Sequence, residues 1–147
     1  MGILNYTTSV PVNRTISQIQ GLLVSHGARA IMINYNNAQE PESCSFIVPT
    51  RNGELPFRLP ANIKAVEKVM ERDRLPGYKK EGQPTRVAWR ILKDWIEAQM
   101  AIIEAEMVSL EEVFLPYLLA KDNQTLYQVM SSRGFLLPPG KEEKPVI

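Results

Sequence analysis

The chain has 147 residues, 44% of them hydrophobic and 22% charged, which suits one domain with a real core and excludes a body too polar to fold. Its 17 basic and 16 acidic residues leave a formal net charge of +1, so no global field draws it to DNA, RNA or an acidic membrane, and any anion site must be local. The single cysteine, Cys44, excludes an internal disulfide and a cysteine-based metal framework.

Taken in order, residues 3–10 are rich in Tyr, Thr and Val and predict a first strand ended by Pro11. Ile16, Ile19, Leu22 and Leu23 then recur at helical spacing, and Gly27 supplies a stop after His26. Residues 28–35 predict a strand with Ala30, Met32 and Asn34 on one face and Ile31, Ile33 and Tyr35 on the other. Residues 42–50 predict another. Asn52-Gly53 marks a hairpin and suits the positive φ angles of a type I′ turn. The returning strand, residues 55–59, contains Pro56 and belongs at an edge. A helix follows through Ile63, Val66, Val69 and Met70, ended by Leu75-Pro76-Gly77, and residues 78–83 read as an exposed loop.

Residues 85–107 form the longest run without Pro or Gly, with apolar positions at three- and four-residue spacing and Thr85 placed to cap the start. Beyond it, Pro116 predicts a kink or stop, residues 125–132 a short helix, and residues 138–147 a tail. The expected architecture is a single α+β domain over residues 1–137: a small antiparallel sheet of about four strands with flanking helices, the long helix lying at an oligomer interface. The N-terminus carries no basic, apolar leader pattern and no apolar run approaches the roughly 20 residues of a membrane helix, so a soluble, intracellular chain is expected.

An enzyme is hard to build from these residues. His26, the only histidine, sits at a helix end where it can cap the last carbonyls. Cys44 has no second histidine to activate it and reads as a small buried hydrophobe. Glu104, Glu106, Glu111 and Glu112 lack the histidines of a carboxylate-bridged metal helix, so neither metal nor cofactor is expected. What remains is a cluster of cations, Arg86, Arg90 and Lys93, on the first turns of the long helix, where the dipole is positive. Arg86 and Arg90 are four apart, so their guanidiniums can converge on a phosphate-bearing ligand; the competing reading pairs them with Asp94, Glu97 or an acid of another chain. Arg58 is a third cationic candidate, and Phe57, Tyr78 and Trp89 are candidate base-stacking or pocket-wall residues, each of which could instead serve packing.

The segments YTT (6–8), GA (27–28), PFRLP (56–60), RVAWRILKDWIEAQMAIIEAE (86–106), EEVFLPY (111–117) and QTLY (124–127) together resemble a family of small phage proteins. These are the anti-Thoeris sponges of the first-described type, which sequester a TIR-made cyclic ADP-ribose signal in the host cytoplasm. The resemblance spans about residues 5–127. It implies immune evasion by binding without turnover, in pockets at a dimer interface, with hexamers built as trimers of dimers known in the family. By motif it makes Arg86 and Arg90 the pyrophosphate contacts and Arg58 their companion. It further implies a separate symmetric site for cyclic di- or trinucleotides, expected at Gly27, Ala28 and Arg29, where exposed backbone amides and a guanidinium suit phosphates. Two rival functions stand beside it: a protein-binding inhibitor of a host defence protein, using the apolar breadth of the long helix, and a nucleotide hydrolase.

Overall fold

The computed structural model describes residues 2–135; the tail expected at residues 138–147 lies outside the described residues. Five helices and a three-stranded antiparallel sheet make an α+β domain. Helix α1 (Val12–Ser25) starts from an extended Pro11 and buries Thr15, Ile16, Ile19 and Leu23, the face its spacing predicts. His26 ends it: its Nδ1–H donates to the Leu22 carbonyl at 2.9 Å, so the lone histidine is a cap.

Strands β1 (Ala30–Tyr35), β2 (Pro41–Thr50) and β3 (Gly53–Pro60) pair in the order β1-β2-β3. The period-two pattern places Ile31, Phe46 and Phe57 in one cross-strand row and Ile33, Cys44 and Leu59 in the next, all on the core side. The opposite face carries the rows Ala30–Ile47–Pro56 and Met32–Ser45–Arg58. The β2–β3 hairpin forms where expected, but its turn differs. Thr50 pairs with Gly53 around Arg51 and Asn52, and only Gly53 has a positive φ, +93°. The two loop residues are thus Arg51 and Asn52, neither with a positive φ, so the turn is not an Asn-Gly type I′ turn.

Residues 3–10 are not a strand. The segment turns twice, with the Tyr6 amide bonded to the Ile3 carbonyl and the Thr8 amide to the Asn5 carbonyl, and Asn5 lies at φ +65°. Side chains of the long helix fasten it: Gln83 donates to the Tyr6 and Thr8 carbonyls, and Asp94 accepts from Asn5 at 2.7 Å. A fourth chain does lie along β3. It comes from Leu118 and Leu119, through a bridge to Phe57 and a bond from the Leu119 amide to the Pro56 carbonyl. β3 is still the last strand of the sheet proper, the position expected for Pro56.

Helix α2 (Ile63–Arg72) packs beside the long helix α3 (Gln83–Glu104), which crosses the sheet next to α1. The start of α3 lies two residues earlier than the spacing suggests, and its cap is left-handed Gly82 rather than Thr85. Thr85 instead donates to Glu40 at 2.9 Å. Val87, Trp89, Leu92, Ile96 and Met100 enter the chain's own core, where Phe46, Phe57 and Phe114 form an aromatic cluster joined by Trp95. Much of the apolar breadth read as interface is thus internal. A narrower stripe of half-buried Ile91, Trp95 and Ile102 with exposed Ala98 remains. Helix α4 (Leu110–Phe114) stops into a 3-10 turn at Leu115–Tyr117, where Pro116 cannot continue it. Helix α5 (Leu126–Ser132) closes the described chain with a Thr125–Gln128 capping box. Among the described residues no helix is long and apolar enough to cross a membrane.

Candidate functional site

The first turns of α3 owe their geometry to Gly82 and Gln83. Gly82 takes φ +74°, a conformation that admits glycine without strain, and an ideal Cβ there would lie 2.9 Å from the Arg86 Nη1. Gln83 is buried and bridges two segments. Its Nε2 donates to the Tyr6 and Thr8 carbonyls at 3.0 and 2.9 Å, and its Oε1 accepts from Arg86 Nε at 2.9 Å. Arg86 Nη2 also donates to the Glu81 carbonyl at 3.1 Å. One turn on, Arg90 Nη1 donates to Gln18 Oε1 at 2.6 Å and to Thr15 Oγ1 at 3.4 Å, both on α1.

Both guanidiniums are therefore fixed, and both by neutral oxygens. The nearby carboxylates are taken: Lys93 pairs with Glu97 and with Asp94. Among the described residues the other ion pairs are Arg29–Glu54 and Arg72–Asp73, so the reading in which Arg86 and Arg90 neutralise Asp94 or Glu97 does not hold. A cation in the first turn of a helix is unfavourable by about 0.3–1 kcal/mol. That applies to Arg86, the fourth residue of α3, and not to Arg90, the eighth. Two ordered cations without a carboxylate partner among the described residues still leave a local positive charge that an anion relieves.

The other expected site residues scatter. Trp89 and Phe57 are fully buried. Trp89 donates through Nε1 to the Pro41 carbonyl at 2.8 Å and Phe57 stacks on Phe46, so neither ring offers a face to a base. Tyr78 does reach the surface. It lines a cleft of about 400 Å³ with Gly82 and Pro84, and Lys79, Lys80, Glu40, Glu67 and Glu71 line the same cleft. Tyr6 comes to the same helix start through Gln83, a residue 77 positions away in sequence; only the Tyr-Thr-Thr segment hinted at its use.

The Gly27–Arg29 expectation fails on its own physical premise. The Gly27, Ala28 and Arg29 amides donate to the Val24, Leu23 and Ile47 carbonyls at 3.1, 2.9 and 2.8 Å. Arg29 also pairs with Glu54 at 3.0 Å. No amide of the three is left to cradle a phosphate.

Arg58 is not a companion of Arg86 and Arg90 either. Its guanidinium turns toward the C-terminal segment, donating to Asn123 Oδ1 at 3.0 Å, to the Asn123 carbonyl at 2.9 Å and to Gln128 Oε1 at 3.4 Å. It lines a different cleft, of about 460 Å³, with Asn62, Tyr117, Thr125, Tyr127 and Gln128. Cys44 is buried and its thiol is pushed up to about 12 by desolvation, which leaves it inert as a nucleophile. Among the described residues no three His, Cys, Asp or Glu side chains are gathered to hold a metal. Compared with protein-family models, curated proteins and solved structures, the chain finds no match.

Proposed function

We propose that this protein is a phage anti-defence sponge: it binds a small two-phosphate nucleotide signal of the cyclic ADP-ribose class in the host cytoplasm and holds it without turnover. The observation that carries the reading is the arginine pair. Arg86 and Arg90 are held in place by Gln83, Gln18, Thr15 and a backbone carbonyl, and neither makes an ion pair among the described residues. Preset guanidinium forks match phosphate oxygens, and little side-chain entropy is lost when they bind. Binding alone is the chemistry these groups offer, since the one thiol is held protonated in the core and the one imidazole is spent on a helix end. The motifs shared in kind with the anti-Thoeris sponges supply the class of signal.

Tyr78, which lines the cleft beside Gly82, is the ring we assign to the ligand's base. The stripe Ile91–Trp95–Ala98–Ile102 is the part of α3 left for a partner copy, as a dimer or as dimers within a hexamer. Titration calorimetry with cyclic ADP-ribose isomers tests the reading: saturable heat supports it, and no heat up to the millimolar range overturns it. A second reading, inhibition of a host protein, is favoured by one feature. A largely apolar cleft of about 360 Å³ between α2 and α3 is lined by Ala65, Val66, Ile91, Leu92 and Trp95, a surface suited to a protein partner.

A further inference from the structure

We infer that the cleft at Arg58 is a second, independent binding site, selective for a small planar ring that carries one anionic group, the chemistry of a nucleoside monophosphate. Its volume of about 460 Å³ falls in the range of small-ligand sites, about 300–1,000 Å³. The polar groups around it are sorted by sign. Among the described residues no carboxylate lines it, and one guanidinium does.

The side-chain acceptors are turned away from the cleft. Asn62 Oδ1 accepts the Ala65 amide at 3.1 Å as the cap of α2, and Gln128 Oε1 accepts the Thr125 amide at 2.9 Å in the α5 capping box. A backbone N–H can only donate, so these bonds fix both side-chain amides with their NH2 groups free. Thr125 Oγ1 likewise accepts the Gln128 amide at 3.2 Å, leaving its hydroxyl proton to give. Arg58 uses three of its five N–H donors on Asn123 and Gln128, which leaves two. Ser43 Oγ, whose proton goes to Asn34 Oδ1 at 3.1 Å, adds one acceptor. Donors still outnumber it, and the guanidinium has no carboxylate partner among the described residues, conditions that an anion satisfies.

The ring preference comes from Tyr117 and Tyr127, which line the same cleft. Tyr127 is 54% exposed although its ring lies 5.7 Å from that of Phe135, so it keeps a face for stacking. This site shares no residue with the Arg86–Arg90 site and does not rest on the function proposed there.

The test is an amide-shift titration of the full chain with adenosine 5′-monophosphate, with adenosine and inorganic phosphate as separate probes. The nucleotide should saturate at or below millimolar concentration, shifting the amides of Thr125, Tyr127 and Gln128. Each half-probe should bind at least about tenfold more weakly, since each forfeits either the charge-assisted bonds or the stacking. Arg58→Gln should weaken the nucleotide by at least about tenfold. Tyr127→Ala, at an exposed position that leaves the fold undisturbed, should do the same. Arg86→Ala with Arg90→Ala should leave these shifts intact. The inference is overturned if the nucleotide leaves those amides unmoved, if phosphate alone binds as tightly, or if the Arg86 and Arg90 substitutions abolish the shifts while Tyr127→Ala does not.

Discussion

Replacing both Arg86 and Arg90 by alanine separates a ligand-binding pair from a structural one. Each guanidinium makes two hydrogen bonds to neutral oxygens at the partly exposed start of α3. Each such bond contributes about 0.5–1.5 kcal/mol net, and Gln18 regains water once its donor is gone. Against that loss, removing a cation from the positive end of a helix returns about 0.3–1 kcal/mol. Four such bonds total about 2–6 kcal/mol, so the double variant should lose about 1–5 kcal/mol of stability, and its subunit count should not change. Binding should respond differently. A guanidinium–phosphate bond is worth about 1.5–3 kcal/mol, so two together amount to about 3–6 kcal/mol, or a loss of at least about a hundredfold in affinity. Urea unfolding measures the first quantity and calorimetry with a cyclic ADP-ribose isomer the second. Retention of affinity within about threefold refutes the placement of the pocket. A stability loss well beyond about 5 kcal/mol, accompanied by loss of the oligomer, makes the pair structural.

Three further outcomes follow from the same geometry. Trp89→Phe removes the buried donor to the Pro41 carbonyl and part of a core side chain, at a cost of about 2–4 kcal/mol, with ligand affinity unchanged; an unaltered denaturation midpoint by circular dichroism contradicts the core placement. Gly82→Ala strains a left-handed residue and presses on the Arg86 guanidinium, so it should cost about 1 kcal/mol and weaken the cyclic ADP-ribose isomer in calorimetry; equal affinity means the ligand does not read the position of Arg86. The Cys44 thiol, raised from 9.0 to about 12 by burial, stays protonated in the folded chain while the unfolded chain ionises. Its contribution to stability is thus full below pH 9.0 and declines as pH rises toward 12. A thiol reagent should react only as fast as the chain opens, and rapid labelling of the native protein contradicts this.

Helices α1 and α3 and strand β1 were legible because their periodicity matched the faces they bury: Ile16, Ile19 and Leu23 on α1, Ile31 and Ile33 on β1, Leu92, Ile96 and Met100 on α3. Local signals failed where distant side chains decide. Residues 3–10 have strand-forming composition, yet Gln83 and Asp94 bind Tyr6, Thr8 and Asn5 and hold them in turns. The chain along β3 went unseen because Leu118 and Leu119 follow a proline-containing 3-10 turn and pair through a single bridge. For the site, the four-residue spacing of Arg86 and Arg90 was readable along one helix. Their partners on α1 and in the preceding loop were not, and motif proximity misplaced Arg58, because β3 presents it to Asn123 on another part of the molecule. Aromatic residues next to the arginines suggested stacking at Trp89 and Phe57, but full burial commits both rings to packing.

The central claim is capture of a nucleotide signal without chemistry, and native mass spectrometry of the protein recovered from cells making a TIR-derived signal tests it most directly. The account predicts an integral number of ligands per oligomer, each released on denaturation with the mass of the intact cyclic ADP-ribose isomer. A protein that emerges without ligand, or that releases only a hydrolysed product, contradicts it.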